Sequence, residues 1–272
     1  MAGRFEGISN EEWSQLENLF PNASEKRGKG MPHTPFRNVV NTLLYLLITG
    51  CRWCDVPKGP IWASKSAAHR WFKRWQADGT LVEIQSRTLG LAEKQGKIDW
   101  NFGAVDGSFS PGKGGGKGVD YGRKGKGVLI HTLTDANGMP LANLTTPANG
   151  DERSQVIPLL DAVKPKTGKP GRPRKHISVI AADKGYDSKE LRDILRRRGI
   201  RPQLPKRVWK SKKTRGRPIL IDVPRFQMER TFAWFQRKYR RLVVRWERLP
   251  AIFDAFLSLA TIHLWLPKLI VG

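Results

Sequence analysis

Apolar residues recur at helical spacing through the first third of the chain, give way to strand-like runs after residue 97, and return to helical spacing near the end. Ser9-Asn10-Glu11-Glu12 reads as a capping box ahead of Trp13, Leu16 and Leu19-Phe20, and Pro21 stops that helix. In residues 36–48 the positions Phe36, Val39, Val40, Leu43, Leu44 and Leu47 share one face and Gly50 ends the run, the pattern of a core helix. A third helix starts at the cap Ser64 and continues to Ala77. Its Ala67, Ala68, Trp71, Phe72 and Trp75 face inward, while Arg70, Lys73 and Arg74 face outward. Asp78-Gly79 closes that unit.

Residues 98–105, 128–134, 140–145 and 177–182 are β-branched or apolar and read as strands. The second and third are joined by Asp135-Ala136-Asn137-Gly138, whose Asn-Gly marks a hairpin. Helical patterns cover residues 155–162 and 188–198, then 224–246 and 250–266. The order predicts an α/β (α+β) fold in which helices flank a mixed sheet and a small helical domain precedes it. The expected domains are 1–95, folding as its own unit, and 96–272. Two basic stretches interrupt the second: residues 111–127, which read as a mobile cationic loop, and residues 206–218.

With 39% hydrophobic residues in a chain of 272, a real core can be buried. Charge then narrows the partner. Lys and Arg number 49 against 24 Asp and Glu, a net +25, and such a field attracts a polyanion. A ribosomal or chromatin-coating protein would share this feature, so charge names the partner and not the act. The basic third helix fits DNA recognition in a helix-turn-helix arrangement, or an ordinary solvated face. Cys51 and Cys54, with His33 and His69 at no standard ligand spacing, read as small semi-buried residues in a reducing, intracellular setting. No apolar signal core precedes residue 8, and Asp254, His263, Pro267 and Lys268 break up the apolar C-terminal stretch, so a cytoplasmic protein with a buried closing helix is expected rather than a membrane span.

Three carboxylates stand where a metal site would want them. Asp106 follows an apolar strand, Asp183 ends another in Ala181-Ala182-Asp183-Lys184-Gly185-Tyr186, and Glu229 lies in a helix. Mg²⁺ takes oxygen ligands and keeps water and phosphate in its shell, so a few carboxylates suffice. Two such ions can serve both sides of a phosphodiester, and Mn²⁺ can replace them. Singly, each acid reads equally as a turn or cap residue.

Together with their flanks, these residues resemble the DDE transposases of IS-five-type bacterial insertion sequences, which have an RNase H-like catalytic fold. Leu46-Leu47-Ile48-Thr49-Gly50-Cys51-Arg52-Trp53 is similar to the family's helical domain. Asp106, Asp183-Lys184-Gly185-Tyr186-Asp187 and Glu229-Arg230-Thr231-Phe232-Ala233-Trp234 are similar to its three catalytic positions. The resemblance implies metal-dependent cleavage of element ends and transfer of 3′-hydroxyls to target DNA. It also implies terminal inverted repeats as partners and a homodimer or larger synaptic complex. An RNase H-like nuclease without strand transfer, or a domesticated DNA-binding protein, are the alternatives.

Where the family signature has Tyr, Arg and Lys around the glutamate, this chain has Asp222, Arg225 and Gln236, with Arg237 or Lys238 able to replace the lysine. A wheel at 100° per residue puts Arg230, Trp234, Arg237 and Arg241 on the flank beside Glu229, so these, with Lys184 and Arg225, are expected on DNA. Asp151 resembles a further family acid and is equally explained as a helix cap. Residues 171–174 and 215–218 resemble the AT-hook core, either entering a minor groove or binding phosphate nonspecifically.

Overall fold

The capping box forms as the sequence requires. Ser9 Oγ accepts from the Glu12 amide at 3.1 Å, and the Ser9 amide donates to Glu12 Oε2 at 2.9 Å, starting helix α1 (Asn10–Leu16). This computed structural model describes residues 5–20, 33–168, 177–206 and 226–270, and of residues 226–230 and 234 the backbone alone. Helix α2 (Phe36–Thr49) buries the predicted stripe and ends at Gly50, whose φ of 69° is the left-handed conformation that favours glycine. Helix α3 (Lys65–Ala77) begins where Ser64 Oγ accepts from the Ala67 amide.

A fourth helix, α4 (Thr80–Lys94), follows where the sequence suggested a stop. Asp78 Oδ1 accepts from both the amide and the hydroxyl of Thr80 and so leads the chain into a new turn. Its inner stripe is Leu81, Ile84, Thr88 and Ala92; a threonine, satisfied on Ile84 O, dilutes the apolar signal.

The sheet is centred on β1 (Gly103–Pro111). It pairs antiparallel with β3 (Gly125–Thr134), from Ala104 opposite Thr134 to Pro111 opposite Gly127, and parallel with β5 (Val179–Ala181). Short β2 (Asp120–Gly122) and β4 (Pro140–Pro147) share the far edge of β3, and β6 (Arg201–Gln203) pairs parallel with β5. With helices on both faces this is the expected RNase H-like mixed sheet. The Asn-Gly hairpin also forms: the Asp135 amide donates to Met139 O, and its buried carboxylate accepts from the Asn137 and Met139 amides.

Some boundaries differ from the reading. Strand β1 starts later than residue 98 and runs on to Pro111, so Asp106 lies inside it; Gly107, Ser108 and Ser110 look like turn residues and are held extended by β3. Residues 111–127 are not a free loop, because β2 folds back onto β3. The long helix at 224–246 is broken at Tyr239 into α7 (Phe226–Lys238) and α8 (Arg240–Val243). Cys51 is half-buried but Cys54 is exposed. The basic stretch after Lys206, Arg225 and both AT-hook-like segments lie outside the described residues.

Two large buried clusters share the last helix, α9 (Pro250–Ile270). One joins α2, α3 and the start of α4 to Val128 and Ile130 of β3, Phe235 and Tyr239, and much of α9. The other joins Leu89 and Ala92 of α4 to Val105, Leu133 and Ile180 of the sheet, to α5 (Val156–Ala162) and α6 (Lys189–Arg197), and to Trp265 and Leu269 of α9. Packing therefore crosses the 95/96 boundary. Among the described residues α9 is the one helix long and apolar enough to cross a membrane, with a mean hydropathy of 1.3, yet 67% of that window is buried. Trp265 Nε1 donating to Pro140 O ties it to the sheet as a core helix.

Candidate active site

Backbone register brings the first two acids together. Ala104 of β1 pairs with Ala181 of β5 in parallel, and Asp106 and Asp183 each stand two residues further on. Asp183 is still extended, with φ −73° and ψ 175°. Because strand side chains alternate with period two, the pairing sets both acids level and on one face of neighbouring strands, which lie about 4.8 Å apart. Each is half-buried and oriented by its own backbone: Asp106 Oδ1 accepts from the Gly107 amide at 2.8 Å, and Asp183 Oδ1 from the Gly185 amide at 2.7 Å.

Helix α7 docks on that face. Phe232 packs on the small cluster of Phe102, Ala104 and Ala181, Thr231 Oγ1 donates to Gly138 O at 2.5 Å, and Gln236 Nε2 donates to Ser108 Oγ at 3.3 Å. Glu229 sits one turn before Phe232, on the first turn of α7. The structure gives its backbone this place on α7; its carboxylate is outside the description. Among the described residues no three His, Cys, Asp or Glu side chains converge as a metal cluster.

Beneath β1, on the opposite face, lie groups that sequence reasoning missed. Tyr186 is buried and its hydroxyl donates to Glu152 Oε2 at 3.2 Å. Burial, and then the carboxylates of Glu152, Asp106 and Asp183, push its phenol far above the ordinary tyrosine range. A Cβ on Gly107 would fall 2.8 Å from Glu152 Oε2, so the glycine after Asp106 lets the end of that side chain lie against β1. His131, opposite Gly107 on β3, is wholly buried beside Thr146 Oγ1; burial pushes it down to about 4, with Asp151 acting weakly the other way. The signal available was the Gly following Asp106 and the second acid following Asp151. Asp151 itself is exposed and accepts from the Arg153 amide and guanidinium.

The cations divide. Arg70, Lys73, Arg74, Lys184 and Arg237 are exposed as expected. Of Arg230 and Trp234 the structure gives only a place on α7, and Arg225 falls outside the described residues. Arg241 is corrected: it is buried, pairs with Glu247 at 2.6 Å and donates to Cys51 O at 2.7 Å. The break at Tyr239 ends the helical wheel before residue 240, so Arg241 turns into the core instead of flanking Glu229.

An RNase H-like sheet with one acid on a central strand, a second just past the end of its parallel neighbour, and a third motif's helix docked on the same face, defines a class of nucleic-acid-processing folds. Residues 99–265 match the family model "Transposase DDE domain", and residues 8–85 match "Putative transposase of IS4/5 family". The chain belongs to the DDE transposase family, of the IS4/5 type. It is 42% identical over 133 residues to the "Putative transposase for insertion sequence element IS402" of Burkholderia cepacia, a match spanning 49% of this chain and 60% of that protein. It is 27% identical over 176 residues to the "Transposase for insertion sequence element IS1106" of Neisseria meningitidis serogroup B, spanning 60% of this chain and 54% of that one. A further match, 30% over 103 residues, is to the "Insertion element IS402 uncharacterized 16.2 kDa protein" of Burkholderia cepacia, spanning 37% of this chain and 70% of that protein.

Proposed function

We propose that this chain is the transposase of a bacterial insertion sequence, a Mg²⁺-dependent DNA endonuclease and strand-transferase acting on terminal inverted repeats and target DNA. The observation that carries the reading is the parallel pairing of Ala104 with Ala181, which sets Asp106 and Asp183 level beside the helix bearing Glu229. Half-buried carboxylate oxygens suit a hard cation that keeps water and phosphate in its shell. Bound there, two Mg²⁺ or Mn²⁺ ions would supply Lewis acidity to the attacking and leaving oxygens of a phosphodiester.

Within the chain, Asp106, Asp183 and Glu229 provide the negative charge that holds the ions, and the Gly107 and Gly185 amides fix the two aspartates. Lys184 and Arg237 meet phosphate beside them, with Arg225, Arg230 and Trp234 of the same motif. Residues 1–95 recognise the element ends through Arg70, Lys73 and Arg74, and residues 96–272 catalyse. Two ends must be joined, so the active form is a homodimer or a larger synaptic complex, working on DNA in the bacterial cytoplasm.

Labelled element ends, a target plasmid and Mg²⁺ test the reading. Joined products are expected; cuts without joining would make the chain a nuclease, and shifted DNA without cuts a binding protein. Asp106→Asn, Asp183→Asn and Glu229→Gln should each abolish cleavage while end binding persists. Activity retained in all three would overturn the assignment.

A further inference from the structure

Six large hydrophobic side chains are exposed among the described residues, and four of them, Tyr121, Val243, Trp246 and Leu249, fall on just two segments. Tyr121 is 69% exposed and Trp246 55%, unusual for rings that a solvated face does not require. The glycine-rich arm after β1 and the segment after α8 are laid against each other. The Arg245 amide donates to Pro111 O at 2.9 Å, the Gly114 amide to Arg245 O at 3.2 Å, and Arg245 Nη2 to Lys117 O at 2.6 Å. A Cβ on Gly114 would fall 2.1 Å from Trp246 O, and one on Gly116 2.2 Å from Arg248 O. The glycines are therefore a means of close backbone contact that fixes residues 245–248 on the arm.

The arm and the segment against it also carry Lys113, Lys117, Arg123, Lys124, Lys126 and Arg248, all exposed, with Lys126 Nζ 5.5 Å over the Tyr121 ring. Of the acids nearby, Glu247 pairs with Arg241, and Asp120, exposed and accepting from Asn149 Nδ2, stands alone against the six cations. Exposed aromatics among these cations match a polyanion that also offers apolar sugar and groove surface, as duplex DNA does. Strand β1 sets the distance. Asp106 and Pro111 are five residues apart, about 17 Å at ~3.3 Å per residue, so a duplex lying along β1 would pass roughly five base-pair steps of ~3.4 Å over that length.

We propose that the arm and residues 243–249 form one surface that grips duplex DNA about five base pairs from the phosphate cleaved at the Asp106–Asp183 site. This rests on the reading of Asp106 as catalytic. Cations on the arm contact phosphates, and Trp246 supplies an apolar contact to sugar or base.

The test uses the full chain and a 40-base-pair (roughly four-turn) element-end duplex with the cleavage position at its centre. Replacing Lys113, Lys117, Arg123 and Lys124 together by Gln should make the slope of log affinity against log salt shallower by about 2 to 4, since each phosphate contact contributes about 0.9. Hydroxyl-radical protection should be lost about five base pairs from the cut and kept elsewhere. Trp246→Ala should weaken binding about tenfold, by loss of an apolar contact that carries no charge, with the slope unchanged. An unaltered slope, or protection lost at a different distance, overturns the proposal. Asp106→Asn separates the two failures: if it still cleaves, the catalytic reading fails, whereas if it is inactive and the arm variant protects DNA as the unaltered chain does, the arm alone fails.

Discussion

The paired strands that position Asp106 and Asp183 and the helical core around α9 are held by different means. Beside the acids the buried apolar cluster is small, Phe102, Ala104 and Ala181 with Phe232 laid on it, and position comes from backbone pairing. Around α9, Phe72, Trp75, Phe253 and Phe256 interdigitate, and a single helix serves two cores. A half-buried carboxylate on a paired strand can be altered with little effect on packing. A side chain on α9 cannot, because both cores close on the same helix. The family-model segments 8–85 and 99–265 are separate in sequence, but their apolar residues pack as neighbours.

The largest expected effect sharpens this contrast. Any one of Asp106→Asn, Asp183→Asn or Glu229→Gln should lower cleavage about ten-thousandfold, some 5 to 6 kcal/mol of barrier, and combining them should add little because the groups act as a unit. Thermal melting of the aspartate variants should stay within about 1 kcal/mol of the unaltered chain. A large melting shift would mean that the acids are structural.

Next comes Phe256→Ala. Phe256 is fully buried, 4.7 Å centroid to centroid from Phe72, and its loss should cost about 4 kcal/mol of stability. Denaturant unfolding should report one transition for helical and sheet regions alike. Two separate transitions would break the comparison, since the helical region would then be a unit of its own.

Two arginines in one motif give the third test. Arg241→Ala strands the buried Glu247 carboxylate and should destabilise by about 3 kcal/mol, whereas exposed Arg237→Ala should leave stability within about 0.5 kcal/mol and reduce strand joining. Equal melting temperatures for the two variants would contradict the placement of Arg241.

The effect that is smallest near neutral pH is a pH dependence carried by the α9 core. Burial, with a lesser contribution from Lys238, depresses His263 to about 3, so the folded chain keeps it neutral while the unfolded chain protonates it near 6.5. Its contribution is present above pH 6.5 and is lost as pH falls, at about 1.4 kcal/mol per unit down to the folded value. His131 acts in the same direction. Asp135, raised by burial to about 6, acts oppositely between about 4 and 6. Chemical denaturation of His263→Leu at pH 6 and pH 4 should therefore show a shallower acid loss than the unaltered chain; identical slopes would remove His263 from the account.

Much of this was legible without coordinates. The stripe of α2, the caps Ser9 and Ser64 and the Asn-Gly hairpin are local signals, because helix period, side-chain capping and turn geometry are decided within a few residues. The flanks of Asp106, Asp183 and Glu229 were readable for the same reason. Helix α4 was hidden by Thr88 in its buried stripe, and the later half of β1 by glycine and serine that only pairing with β3 holds extended.

What the sequence determined by itself was the list of elements, the excess of positive charge and the motifs carrying three acids. Tertiary structure alone decided which of those residues meet. The Ala104–Ala181 pairing joins positions 77 residues apart in sequence, by backbone hydrogen bonds that no local pattern encodes. The break at Tyr239 turned Arg241 inward to Glu247 and Cys51, although its spacing from Glu229 suggested the DNA face. Glu152 came to lie beneath the aspartates, against Gly107 and the Tyr186 hydroxyl, a choice made by packing between distant segments rather than by the period of either one.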